Sequence, residues 1–151
     1  MNKQKDYPLN EVKKFSSIKE MLELAVKEAG DKNAFEYKDE KVNDKIVKVT
    51  YKEFVKDTEE LGTALASLGM ENKHIAMIGE NSYKWLTVYL TVLKSTGVFV
   101  PIDRELPCKD IINVLKHSDS EVLFYSEKYE KWINEIKENV PNIKFFIGLN
   151  R

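Results

Sequence analysis

The stretch HIAMIGENSYKWLTVYLTVLKSTGVFVPID, residues 74–103, decides the fold. It holds two short apolar runs, His74–Ile78 and Val98–Ile102, separated by Tyr83–Ser95. Neither run alternates apolar with polar residues, so each needs cover on both faces, as a strand in a parallel sheet does. The stretch between them is long enough to cross back over such a sheet. Trp85, Leu86, Val88, Tyr89, Leu90, Val92 and Leu93 make this helix apolar nearly all round, which predicts that it is sandwiched between layers. The pattern repeats downstream. Pro107–Lys116 and Lys128–Val140 read as helices, and Glu121–Tyr125 and Lys144–Gly148 as further buried strands, giving βαβαβαβ. In Lys128–Val140 the stripe Tyr129, Trp132, Ile133, Ile136, Val140 is narrower, so one face of that helix is expected to be wet.

Upstream of this unit the signals are helix caps and a hairpin. Ser17 and Glu20 have capping-box spacing, and Ile18, Met21, Leu22, Ala25, Val26 and Ala29 fall on one helical stripe before a stop at Gly30. Ala34–Tyr37 and Ile46–Tyr51 read as short strands joined by the charged loop KDEKVND. Thr50 and Glu53 repeat the capping-box spacing and open a helix that runs to Gly69. Residues 1–10, polar with one proline, are expected to be a flexible lead-in, and residues 11–151 show neither repeat nor linker that would divide them.

Composition narrows the partners. At 151 residues with 42% apolar and 32% charged side chains, the chain is large enough for one real core. Its 24 basic and 25 acidic residues give a net charge of −1, so no long-range field points to nucleic acid or an anionic membrane. Only Arg104 and Arg151 are arginines, which leaves few planar forks for phosphates or base edges. The single cysteine, Cys108, permits no internal disulfide and no multi-cysteine metal site. With no signal-peptide pattern this predicts a cytoplasmic location. No apolar run approaches the roughly 18 residues that span a bilayer.

The residues that invite chemistry have ordinary structural readings. The turn Gly79-Glu80-Asn81-Ser82 has one glycine and an acidic residue where a phosphate cradle needs several amides and positive charge, so Asn81 or Ser82 is expected to cap the next helix. Asp103 ends a strand, the place of a response-regulator phosphoacceptor, but no Lys directly after Phe124-Tyr125 completes that set. His74 and His117 have no nucleophile–acid arrangement around them. Cys108, after Pro107 at a helix start, sits where a thiol pKa is lowered, yet only Lys109 stands near to pair with it. From the residues alone we assign no catalytic, cofactor-binding or metal-binding residue.

Several segments in order resemble a family. VTYKEF (Val49–Phe54), LASLGMENKHIAMIGENSYKW (Leu65–Trp85) and LKSTGVFVPIDRELP (Leu93–Pro107) are similar to the opening of AMP-forming acyl-CoA synthetases. The first matches T-Y-x-E-L and the third L-K-x-G-x-x-x-V-P-[LI]-D. DIINVLKHSDSEVLFYS (Asp110–Ser126) resembles the helix and strand that follow there. FSSIKEMLELAVKEAGDKNAFEYKD (Phe15–Asp39) resembles the start of bacterial long-chain fatty-acid ligases. Ser95-Thr96 replaces the usual Ala-Gly, and Phe54 the common Leu; both are packing positions.

The resemblance implies an α/β three-layer fold with a mainly parallel sheet plus a short N-terminal β-hairpin, the N-terminal subdomain of the adenylate-forming fold spanning residues 11–151. The parent reaction it implies joins a carboxylate, fatty acid above all, to CoA with ATP and Mg²⁺, releasing AMP and pyrophosphate. The family's phosphate loop T-S-G-T-T-G-x-P-K-G and its C-terminal catalytic Lys are absent from these 151 residues. The chain alone is therefore expected to be an inactive scaffold that binds none of these cofactors. Its partner would be the remainder of its own chain, and self-association is expected through uncovered apolar surface. Two other readings fit the same residues. One is a self-contained flavodoxin-like binding or signalling module with a crevice near Gly79–Ser82 and Asp103–Glu105. The other is the start of an amino-acid-activating adenylation domain, which shares the V-P-I-D stretch.

Overall fold

A computed structural model describes residues 12–39, 45–95 and 97–149. The expected lead-in at residues 1–10, and the middle of the hairpin connection at 40–44, lie outside them. Four parallel strands, β3 (His74–Ile78), β4 (Val98–Pro101), β5 (Val122–Tyr125) and β6 (Phe145–Gly148), form one sheet in the order β4-β3-β5-β6. An antiparallel pair, β1 (Asn33–Asp39) and β2 (Lys45–Thr50), precedes it. The helices are α1 (Ile18–Ala29), α2 (Tyr51–Ser67), α3 (Tyr83–Lys94), α4 (Cys108–His117) and α5 (Ile133–Asn139).

The missing alternation in the strands has a direct cause. Along β3, Ile75 and Met77 face a core with Val88 and Val92 of α3 and Leu65 of α2, whereas Ala76 and Ile78 face a second core with Ile111 and Leu115 of α4 and Ile133 and Ile136 of α5. On β5, Val122 and Phe124 join the first core, and Leu123 and Tyr125 the second. Every residue of β5 is buried. Burying each such aliphatic side chain is worth about 1.5–3 kcal/mol, so these two central strands hold the layers together.

Helix α3 is sandwiched as its composition predicts. Val88 and Val92 pack on the sheet, while Tyr83, Leu86 and Leu90 pack into a third cluster built on Leu22, Val49, Phe54 and Val55. The hairpin and α1 thus form a fourth layer beyond α2 and α3. Phe35 meets Phe54 edge-on at 4.8 Å and Tyr83 at 5.3 Å between ring centroids. The Tyr83 hydroxyl donates to Asp57 at 2.6 Å, which satisfies the polar end of a half-buried ring. Burial, then that carboxylate, raises the Tyr83 phenol pKa.

The caps follow the spacing with two differences. Thr50 and Glu53 form the full box, with Glu53 N donating to Thr50 Oγ1 at 3.2 Å and Thr50 N to Glu53 Oε2 at 2.8 Å, so Tyr51 enters the helix rather than ending the strand. At α1 only half the box forms. Ser17 Oγ accepts from Glu20 N, but the Glu20 carboxylate turns to Ser16, which offers both its amide and its hydroxyl. Gly69 closes α2 with φ of 70°, while Gly30 stays right-handed at −50° and lends its carbonyl to Lys52 N.

The expected helix Lys128–Val140 splits into a 3-10 turn, Glu127–Trp132, and α5. Three residues per turn bring Tyr129 and Trp132 onto one side, ring centroids 5.6 Å apart, and seat Tyr129 in the core at 1% exposure. The wet face is present: Asn134, Glu135, Lys137 and Glu138 are exposed.

Gly97 tests the packing between α3 and β4. A Cβ there would stand 3.1 Å from Val92 Cγ1 and 3.2 Å from the Lys73 carbonyl oxygen. Gly97→Val should therefore destabilise the chain by about 2 kcal/mol through overpacking. Urea denaturation measures it; an unchanged midpoint would refute the close approach.

Candidate functional site

Open α/β sheets bind ligands outside the carboxyl ends of strands whose connections leave towards opposite faces. Here those strands are β3 and β5. β4, which follows β3, pairs on one side of it, and β5 pairs on the other. α3 leaves to the face of Ile75 and Met77, and the 3-10 turn and α5 to the face of Ala76 and Ile78. Three loops therefore meet at this end of the sheet: 79–82, 102–106 and the start of the 3-10 turn.

Each loop is fixed by a local device. Ser82 Oγ accepts from Trp85 N at 3.1 Å, which is the cap expected there. Asp103 Oδ1 accepts from Glu105 N at 2.9 Å, a turn-forming role and no phosphoacceptor site. Among the described residues no group of three or more His, Cys, Asp or Glu is placed to hold a metal ion. The Tyr129 hydroxyl donates to the Arg104 carbonyl at 2.9 Å and so ties the loop after β4 to the turn after β5. Its phenol pKa is raised, by burial first and then by the charges of Glu80 and Glu105.

Glu80 is the charged centre of this end. Lys128 Nζ lies 4.0 Å from its Oε1, which supplies a lysine after β5 that the spacing did not predict. The Ser126 hydroxyl beside it, with the charges of Lys128 and Arg104, holds its carboxyl below the usual carboxylate range. Ser126 is only 7% exposed, and its Oγ makes no hydrogen bond of full geometry. Sequence reasoning missed Ser126, Lys128 and Tyr129 as members of this end. The available signal was the position of Ser126, directly after the most buried strand.

The other candidates fall apart in space. His74 Nδ1 bonds the Ser118 carbonyl, which pins α4's end to the start of β3, and His117 is exposed in the last turn of α4. Cys108 opens α4, but its thiol pKa is pushed up to about 11 by burial and by Glu135, which reverses the lowering expected from the helix start. Desolvation and a nearby carboxylate outweigh the helix end. Cys108 should therefore be alkylated by iodoacetamide at pH 8 about a hundredfold more slowly than a free cysteine peptide, since its thiolate fraction is lower by about that factor. A rate equal to that of the peptide would refute this.

The AMP-binding enzyme family matches residues 22–147. The chain is 31% identical over 122 residues to the uncharacterized acyl–CoA ligase YtcI of Bacillus subtilis, covering 79% of this chain and 20% of that protein. It is 28% identical over 120 residues to 4-hydroxybutyrate–CoA ligase 2 of Metallosphaera sedula, covering 79% and 21%. The chain thus spans about a fifth of the length of these relatives. The inhibitor-bound N-terminal domain of FACL13 from Mycobacterium tuberculosis superposes with a TM-score of 0.77 at 22% identity, over 89% of this chain and 33% of that one, and shares the fold. No helix among the described residues is long and apolar enough to cross a membrane. With the family matching most of its length and the parallel sheet in place, the chain belongs to the AMP-binding enzyme family.

Proposed function

We propose that residues 11–151 are the N-terminal subdomain of a cytoplasmic, ATP-dependent carboxylate–CoA ligase, acting on fatty acids, and that this part serves as scaffold. The observation that carries the reading is the family match over residues 22–147 in a chain a fifth as long as its relatives. In the parent reaction the carboxylate attacks the α-phosphate of ATP, pyrophosphate leaves, and CoA thiolate displaces AMP. Such a step needs its phosphate charge neutralised by metal, amides and lysine. The turn after β3 offers one glycine and the Glu80 carboxylate instead, so these residues do not fit ATP·Mg²⁺. The fatty-acid assignment rests on the similarity of Phe15–Asp39 to long-chain ligases. The shared V-P-I-D stretch keeps amino-acid activation as the second reading.

The test is carboxylate-dependent pyrophosphate release by the protein extended through its natural reading frame, with a panel of short and long fatty acids and amino acids. Release with fatty acids and formation of their CoA thioesters supports the reading. Release with amino acids alone replaces it with the second, and a reading frame that stops after Arg151 refutes both.

For the 151-residue chain, calorimetry with millimolar ATP·Mg²⁺ or CoA should show no saturable heat; one-to-one ATP binding would refute the scaffold role. Self-association is expected as well. Among the described residues nothing pairs with the outer edges of β4 or β6, and Val98 on β4 is 47% exposed. Most of α3 is covered, so the edges and not that helix should drive association. Light scattering over a concentration series should show mass rising above 17.6 kDa; a constant monomer mass would overturn this.

A further inference from the structure

The crevice between the carboxyl ends of β3 and β5 contains an anomaly. Ser126 precedes the 3-10 turn, where a serine ordinarily accepts a backbone amide of its own turn, yet its side chain makes no capping bond. Instead it lies against Gly79, where a Cβ would come within 3.3 Å of Ser126 Cβ. Its Oγ is buried without a partner of full geometry, and such a hydroxyl carries a cost that a strong acceptor would relieve. The Glu80 carboxylate lies beside it, and Lys128 stands 4.0 Å from that same carboxylate. The positive charge of Arg104, whose backbone carbonyl accepts from Tyr129, also acts on Glu80 from the loop after β4.

We propose that this crevice is an oxyanion seat that the chain fills with its own Glu80, and that a phosphate-type oxyanion binds there once that carboxylate is removed. The donor set fits such a ligand. A hydroxyl and an ammonium supply directed hydrogen bonds and positive charge, the Arg104 charge adds to the field, and a carboxylate resembles phosphate in being an acceptor-only anion. Two acidic groups of the loop after β4 are already engaged. Asp103 accepts the Glu105 amide, and Glu105 pairs with Arg104 Nε at 3.2 Å. The Glu80 side chain is 45% exposed, so it can be replaced without opening the core. In the native chain an incoming anion would have to displace a carboxylate already seated, and the seat is closed to it.

The experiment is titration with inorganic phosphate at constant ionic strength, followed by calorimetry and by amide shifts of residues 79–82 and 126–129. Native protein should not saturate. Glu80→Ala should bind one phosphate with an affinity higher by about tenfold or more, and adding Lys128→Ala or Ser126→Ala should lower that affinity several-fold. If Glu80→Ala does not fold, Glu80→Gln, which removes the charge and keeps the bulk, carries the same comparison. A folded variant that binds no phosphate overturns the proposal. So does equal binding by native protein and variant, or binding indifferent to Lys128 and Ser126, which would mark it as nonspecific attraction to surface lysines.

Discussion

The double burial of α3 is the constraint on which the rest depends. Val88 and Val92 are at 2% and 0% exposure against the sheet, and Tyr83, Leu86 and Leu90 close the cluster beneath the hairpin. A helix apolar on both sides cannot rest on a sheet alone, because its outer face would remain in water. The hairpin, α1 and the start of α2 exist in this arrangement to cover it. The buried polar groups on its third side are satisfied within the helix pair: Thr91 Oγ1 donates to the Thr87 carbonyl at 2.7 Å, and α2 approaches closely at Gly62, where a Cβ would meet Thr91 Cγ2 at 3.6 Å. The four layers are thus a consequence of one helix's composition.

This explains which parts of the structure were legible from sequence. Strands β3 and β5 could be found because two-sided burial removes alternation from four or five residues in succession, and the helices between them because crossover connections need that length. The full capping box at Thr50 was legible because its two bonds are local. The half-formed box at Ser17 was not, since Ser16 competes for the Glu20 carboxylate and spacing alone does not rank two adjacent serines. The 3-10 turn at Glu127–Trp132 was hidden for a different reason. The stripe Tyr129, Ile133, Ile136, Val140 suits a continuous helix, whereas in the structure Tyr129 reaches the distant Arg104 carbonyl from a tighter first turn.

The site was less legible than the fold because its members come from three loops far apart in sequence. Glu80 and Asp103 stood out as strand-end acids, and one of them proved to be a turn former. Ser126 carries no motif; its significance comes from Gly79 lying opposite, a relation between strands. The Cys108 thiol shows the limit of local reasoning most clearly. A helix start lowers a thiol pKa, yet Glu135 arrives from another helix and burial adds to it, so the sign reverses.

The two ends of the sheet differ in how they settle their charges. At the amino ends of the strands, Glu121 lies between Lys73, at 2.8 Å, and Lys144, and both cations lower its carboxyl pKa. Its neighbouring backbone is occupied too, with Glu121 N donating to the His74 carbonyl and Lys144 N to the Glu121 carbonyl. At that end the charges are paired with one another and the backbone pairs hold the register. At the carboxyl ends, by contrast, a buried hydroxyl lacks a proper partner, a lysine stands at the outer limit of ion-pair distance, and three loops leave in different directions. Incomplete pairing of this kind persists in a folded protein where surrounding structure enforces it. Here the enforcement comes from β3 and β5, the two most buried strands, whose register sets Gly79 against Ser126. The rigid centre of the scaffold thus holds in place the one buried side-chain polar atom among the described residues that lacks a full hydrogen-bond partner.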